Sequence, residues 1–171
     1  LYHCEIDISF LANGLRGNSR LKYFGRRFSD NSSVCNREVI AFAGALRENK
    51  GLVELDLRFY RINMNDETWS AVCDSLKTHP TLEVLDLHGK LPWAPDLITS
   101  RTQALLDMMK TNTSIHTLRV NSCYCEHEMY RESVIPYLET NRFRPRLLAI
   151  QKTRPIAYRT KVLGRALLAS R

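Results

Sequence analysis

One short frame recurs along the 171 residues: a leucine-like residue, two polar residues, Asn or His, two more residues, and an apolar residue six after the first. Its instances are Leu15-Asn18-Leu21, Leu46-Asn49-Leu52, Leu76-His79-Leu82, Met109-Asn112-Ile115 and Leu138-Asn141-Arg144, the last lacking the apolar end. Successive leaders are 31, 30, 33 and 29 residues apart. A period of this size marks a stack of units, each covering its neighbour's apolar face. The longest interval holds Leu91-Pro92-Trp93-Ala94-Pro95, which reads as an inserted loop.

Hydrophobic periodicity changes across each frame. Before it, Trp69, Val72, Cys73 and Leu76 fall at i, i+3, i+4 and i+7 on one helical face, as do Val39, Phe42, Ala43 and Leu46. Leu105, Leu106 and Met109, then Val134, Ile135 and Leu138, repeat the last three columns. After it the period is two: Leu52, Leu55, Leu57; Leu82, Leu85, Leu87; Ile115, Leu118, Val120. A helix, a turn, a short strand and a return loop, repeated, give an α/β solenoid with parallel strands on one side.

The segments LVELDL, LEVLDL and IHTLRV, with Cys123 closing the last, resemble the leucine-rich repeat family, in particular its ribonuclease-inhibitor-like class. The resemblance covers roughly residues 10–150. It implies a horseshoe of about five helix–strand units whose strands line a concave face. The family's Asn or Cys after the strand is met by Cys123 but replaced by Tyr60 and Lys90, so irregular loops are expected there. Residues 1–150 are read as the repeat domain and 151–171 as a basic C-terminal capping helix of the same domain, opened by Pro155.

The resemblance also implies a protein–protein interaction scaffold whose concave face holds a protein partner. Side chains between the core positions of the strands form its columns: Glu54, Val84, Thr117; Asp56, Asp86, Arg119; Arg58, His88, Asn121. The partner-binding candidates are Asp56, Arg58, Asp86, His88, Arg119 and Asn121. Tyr60 and Trp93, outside the repeating columns, are candidate exposed anchors.

Charge supplies the alternative. Arg142 to Arg171 holds nine Lys or Arg and no acid, whereas the preceding residues are near balance at 16 basic and 18 acidic groups. That segment could serve an adaptor for nucleic acid or another acidic surface. Some ribonuclease-inhibitor-like repeats resemble small-GTPase activators, but no residue here points to that role.

The Cys123-Tyr124-Cys125-Glu126-His127 run offers three zinc-type ligands without a fourth nearby, so Cys123 is read as the repeat's Cys and Cys125 as a buried apolar position, with no metal. No GxGxxG, P-loop, HExxH, GxSxG or kinase signature occurs, so the reading is of a non-enzyme with no cofactor. Five cysteines in no short framework suit a reducing, cytoplasmic or nuclear setting. No run is long and apolar enough for a membrane span. A chain beginning at Leu1 and stopping at Arg171 reads as a piece of something longer.

Leu85 sits at the centre of the expected core. Leu85→Ala should cost about 2–5 kcal/mol of a total of roughly 5–15. Urea unfolding measures this, and a loss of a few tenths would mean a misplaced register.

Overall fold

The computed structural model describes residues 8–28, 35–59, 64–88 and 95–153. Four helices alternate with four strands: α1 (Ile8–Arg16), β1 (Tyr23–Phe28), α2 (Asn36–Glu48), β2 (Glu54–Phe59), α3 (Asp66–Leu76), β3 (Val84–Asp86), α4 (Pro95–Thr111) and β4 (Thr117–Arg119). A short helix α5 (Ser122–Glu126), a π-helical turn (Tyr130–Val134) and α6 (Ile135–Thr153) follow. The strands form one parallel sheet in the order β1-β2-β3-β4. Each of the helices α1 to α4 packs on the next.

The helices begin where polar side chains meet free backbone amides. Asn65 accepts a hydrogen bond from the Thr68 amide at 2.9 Å, with Asp66 and Glu67 in the first turn of α3. At α2, the Glu38 carboxylate accepts from the Cys35 amide at 2.7 Å. The apolar helix columns face the sheet: Val39, Phe42, Leu46, Trp69, Val72, Cys73 and Leu76 are buried, as are Leu52, Leu55, Leu57, Leu82, Leu85 and Leu87 from the strand side. In the fourth unit Met108 is buried beside Leu105 and Met109, while Leu106 is half-buried.

The frame residue makes the turn from helix to strand. Its side-chain oxygen accepts from the amides two and three residues on: Asn18 from Arg20 and Leu21, Asn49 from Gly51 and Leu52, Asn112 from Ser114 and Ile115, all at 2.8–3.0 Å. Its amide nitrogen donates backwards across the stack. Asn49 Nδ2 reaches the carbonyls of Leu15 (2.7 Å) and Asn18 (2.8 Å). Asn112 Nδ2 reaches those of Leu76 (2.7 Å) and His79 (3.4 Å). Buried carbonyls of one coil are thus satisfied by a side chain of the next. Coils approach so closely here that a Cβ on Gly51 would run into the Ser19 backbone.

The third frame carries His79, whose Nδ1 accepts from the Leu82 amide at 3.2 Å while Nε2 has no hydrogen-bond partner among the described residues. Thr81 substitutes in part, its hydroxyl within reach of the carbonyls of Lys50 (3.2 Å) and Leu52 (2.7 Å).

The fifth frame does not open onto a strand. Leu138, Asn141 and Arg144 all lie within α6, and Asn141 Nδ2 bridges to the carbonyls of Asn112 (3.0 Å) and Ile115 (2.8 Å) instead. Arg144 stands where the strand's first apolar residue is needed and Pro145 follows it, so the segment has neither the core side chain nor the amide of a further strand. The described residues therefore hold four helix–strand units followed by a helical end, rather than five units. The expected capping helix opened by Pro155 lies outside the described residues; among those described, buried Tyr124, Tyr130 and Val134 precede α6.

Inside the helix layer, Arg101 of α4 is 1% exposed. Its Nε lies 3.1 Å from the Asp66 carboxylate, Nη2 donates to the Met64 carbonyl, and the guanidinium sits 5.5 Å from the centre of the Trp69 ring. Trp69 donates to the Arg101 carbonyl at 3.2 Å and stacks on Tyr124 with centroids 5.9 Å apart. This cluster joins α3, α4 and α5. Burial there pushes the Tyr124 hydroxyl and the Cys73 thiol well above their ordinary ranges, so both stay protonated.

Burial holds the His79 imidazole below the usual histidine range. The unfolded chain then takes up this proton at higher pH than the native one, so stability present above the unfolded value is lost as pH falls through it towards the native value. His79→Asn should flatten that acid limb. With an amide placed to donate to Leu46 and Asn49, as its counterparts donate, it should also stabilise by about 1 kcal/mol. Urea midpoints near neutrality and about two pH units lower decide this; an unchanged acid limb in the variant would contradict it.

Candidate functional site

Alternation along a strand sends Leu55 and Leu57 to the helices and Glu54 and Asp56 to the other face. The register builds columns there. Tyr23, Glu54, Val84 and Thr117 are partners across the four strands, as are Gly25, Asp56, Asp86 and Arg119, while Arg27 pairs with Arg58. This is the sequence-derived grouping from β2 to β4, extended by β1. His88 and Asn121 lie just beyond β3 and β4, and Asn121 is already the N-cap of α5. The return segment after β4 therefore turns helical after two residues, at Ser122.

The candidates differ in how they are held. The Asp86 side chain is only 4% exposed; one oxygen accepts from the His88 amide at 3.1 Å and lies 2.6 Å from His88 Nδ1. Its other oxygen lies 3.9 Å from Arg119 Nη1, which is also 4.0 Å from the Glu54 carboxylate. Asp56 and Asp86 are register partners, and like charges so placed repel. Arg119 and His88 offset that repulsion. The Arg119 side chain is about half exposed, whereas Asp86 is a buried support for its neighbours.

Tyr23 and Gly25, which β1 adds to this face, were not singled out in the sequence. Tyr23 is 54% exposed and its ring lies where a Cβ on Gly25 would stand, so the tyrosine shelters bare backbone beside Asp56. The signal was Phe24, three residues after Leu21 and in register with Leu55, although the second strand leucine is replaced by Arg26. Tyr60, Lys90 and Trp93 lie outside the described residues.

The cysteine run departs from its expected placement. Cys125 is exposed and Tyr124 takes the buried position, because α5 rather than an extended return loop follows Asn121. Cys123 is half-buried, and burial raises its thiol above the ordinary range. Among the described residues no three His, Cys, Asp or Glu side chains are grouped to hold a metal ion. Nor is any described helix long and apolar enough to cross a membrane.

No family model matches the chain, and no curated protein does. Its fold is similar to a solved structure titled Leiomodin-1 Actin-Binding Site 2, with a TM-score of 0.64 and 19% identity over 87% of this chain and 81% of that one. The shared architecture is consistent with a leucine-rich-repeat-like fold.

Burial of Asp86 against exposure of Arg119 gives an expected contrast. Arg119→Ala should change stability by no more than about 0.5 kcal/mol. Asp86→Ala, which strips a buried hydrogen-bonded carboxylate, should cost about 1–3 kcal/mol. Equal losses in urea unfolding would contradict the arrangement.

Proposed function

We propose that this chain is a protein-interaction module that holds its partner on the strand face. The observation that carries the reading is the register of Asp56, Asp86 and Arg119 across adjacent strands, with buried Asp86 bound to the more exposed His88 and Tyr23 standing exposed on β1. Rigid strands present these groups without the ordering cost that loops would add on binding. Arg58, His88 and Asn121 extend the patch to the ends of the strands. An aromatic ring beside alternating charges suits a protein surface better than a small-molecule pocket.

The domain of similar fold is titled as a site for actin, which supports a protein as the class of partner. It equally supports binding rather than catalysis as the chain's work, as does the lack of catalytic motifs. The expected concave curvature would let the face wrap a convex partner. A reducing, cytoplasmic or nuclear setting remains part of the proposal.

The test leaves buried Asp86 intact and reverses two neighbours, Asp56→Lys with Arg119→Glu. Retention of purified actin and of proteins from a cell extract is compared with that of the unaltered chain, with folding checked by circular dichroism. At least one specifically retained protein should be lost about tenfold or more, some 1.4 kcal/mol. An identical retained set on the folded double variant would overturn the reading.

A further inference from the structure

The residues that enter the strands form a row along the sheet's other border. Lys22, Val53, Glu83 and His116 follow one another in adjacent coils, linked by backbone hydrogen bonds from Val53 to Lys22 (2.8 Å), Glu83 to Val53 (2.8 Å) and His116 to Glu83 (3.0 Å). Beside this row, α6 passes across the end of the stack. Between them lies a groove of about 530 Å³ whose α6 wall holds Arg142, Arg144, Pro145 and Leu148.

Charge in the groove is one-sided. Its carboxylate, Glu83, lies 3.6 Å from His116 Nε2. Lys22, Arg142 and Arg144 have no ion pair among the described residues: Lys22 donates to the Gly51 carbonyl at 3.2 Å, and Arg144 Nε is buried without a hydrogen-bond partner. The rest of the lining is partly apolar, with Val53, Pro80 and Pro145, and Leu148 is half exposed.

We propose that this groove is a second docking site, separate from the strand face, for an acidic, leucine-bearing segment of a partner protein. Carboxylates would meet Lys22, Arg142 and Arg144, and an apolar side chain would cover Leu148 and Pro145. Nucleic acid fits less well, because the groove also holds the Glu83 carboxylate, and His116, the one aromatic ring of its lining, lies 3.6 Å from that carboxylate. The chain's own C-terminal residues fit less well too, since Arg154 to Arg171 carries five basic groups and no acid. Strand spacing gives the four-coil row a span of about 14 Å, the length of four or five extended residues.

Fluorescence anisotropy tests this with three labelled probes: an acidic peptide of about ten residues containing several leucines, the same peptide with serines for leucines, and an oligo-dT of about equal charge. The leucine peptide should bind most tightly, the serine version about fivefold or more weaker, and both Arg142→Glu with Arg144→Glu and the more exposed pair Lys22→Glu with Arg142→Glu should weaken it about tenfold or more. Asp56→Lys with Arg119→Glu should bind it unchanged, which separates this site from the strand face. Absence of binding, equal binding of the serine peptide or oligo-dT, or unchanged affinity in either folded groove variant would each overturn the proposal.

Discussion

A side-chain amide holding two coils together is the constraint from which the rest of this structure follows. Each coil must pass from helix to strand inside a stack, where backbone groups have little access to water. Asn49 and Asn112 solve both halves of that problem at once. The oxygen of each closes its own turn, and the nitrogen closes the carbonyls of the coil before. Because the bridge fixes where one turn sits on the next, it also fixes how the strands leave those turns. The pairing of Tyr23 with Glu54 and Gly25 with Asp56, and of Val84 with Thr117 and Asp86 with Arg119, starts from that alignment.

The same device explains where the repetition weakens. His79 closes its own turn through Nδ1 but leaves Nε2 without a partner, and the Thr81 hydroxyl covers neighbouring carbonyls instead. At the far end Asn141 still bridges, though from within a helix and to carbonyls three residues further along. With Arg144 and Pro145 in place of a strand entry, the described part of the stack finishes in α6. The stacked rings of Trp69 and Tyr124 and the buried Arg101 guanidinium fasten that end to the helices beneath it.

Much of the fold was legible because two periods cannot be confused over several repeats. The helical columns through Phe42 and Trp69, and the strand leucines at 55, 57, 85 and 87, are buried where the pattern puts them. Spacing alone could not reveal what the recurring Asn does, since its partners lie 26–36 residues earlier in the chain. The family pattern drew attention to the strand exits at Tyr60, Lys90 and Cys123, whereas the described bridges lie at the strand entries. The fifth frame misled because its Leu138 and Asn141 fit while its missing apolar residue carried the decisive information. On the face, register was readable but depth was not. Nothing in LEVLDL says that Asp86 is buried and Arg119 half exposed, because that depends on His88 folding back onto the carboxylate.

The amide bridge is tested most directly by the urea-unfolding free energy of Asn112→Ala, set against an exposed control such as Thr113→Ala. Loss of four hydrogen bonds to backbone groups around a buried turn predicts a destabilisation of about 2–4 kcal/mol at Asn112 and less than about 0.5 kcal/mol at Thr113. Equal, small losses at the two positions would contradict the claim that side-chain amides bind the coils into one stack.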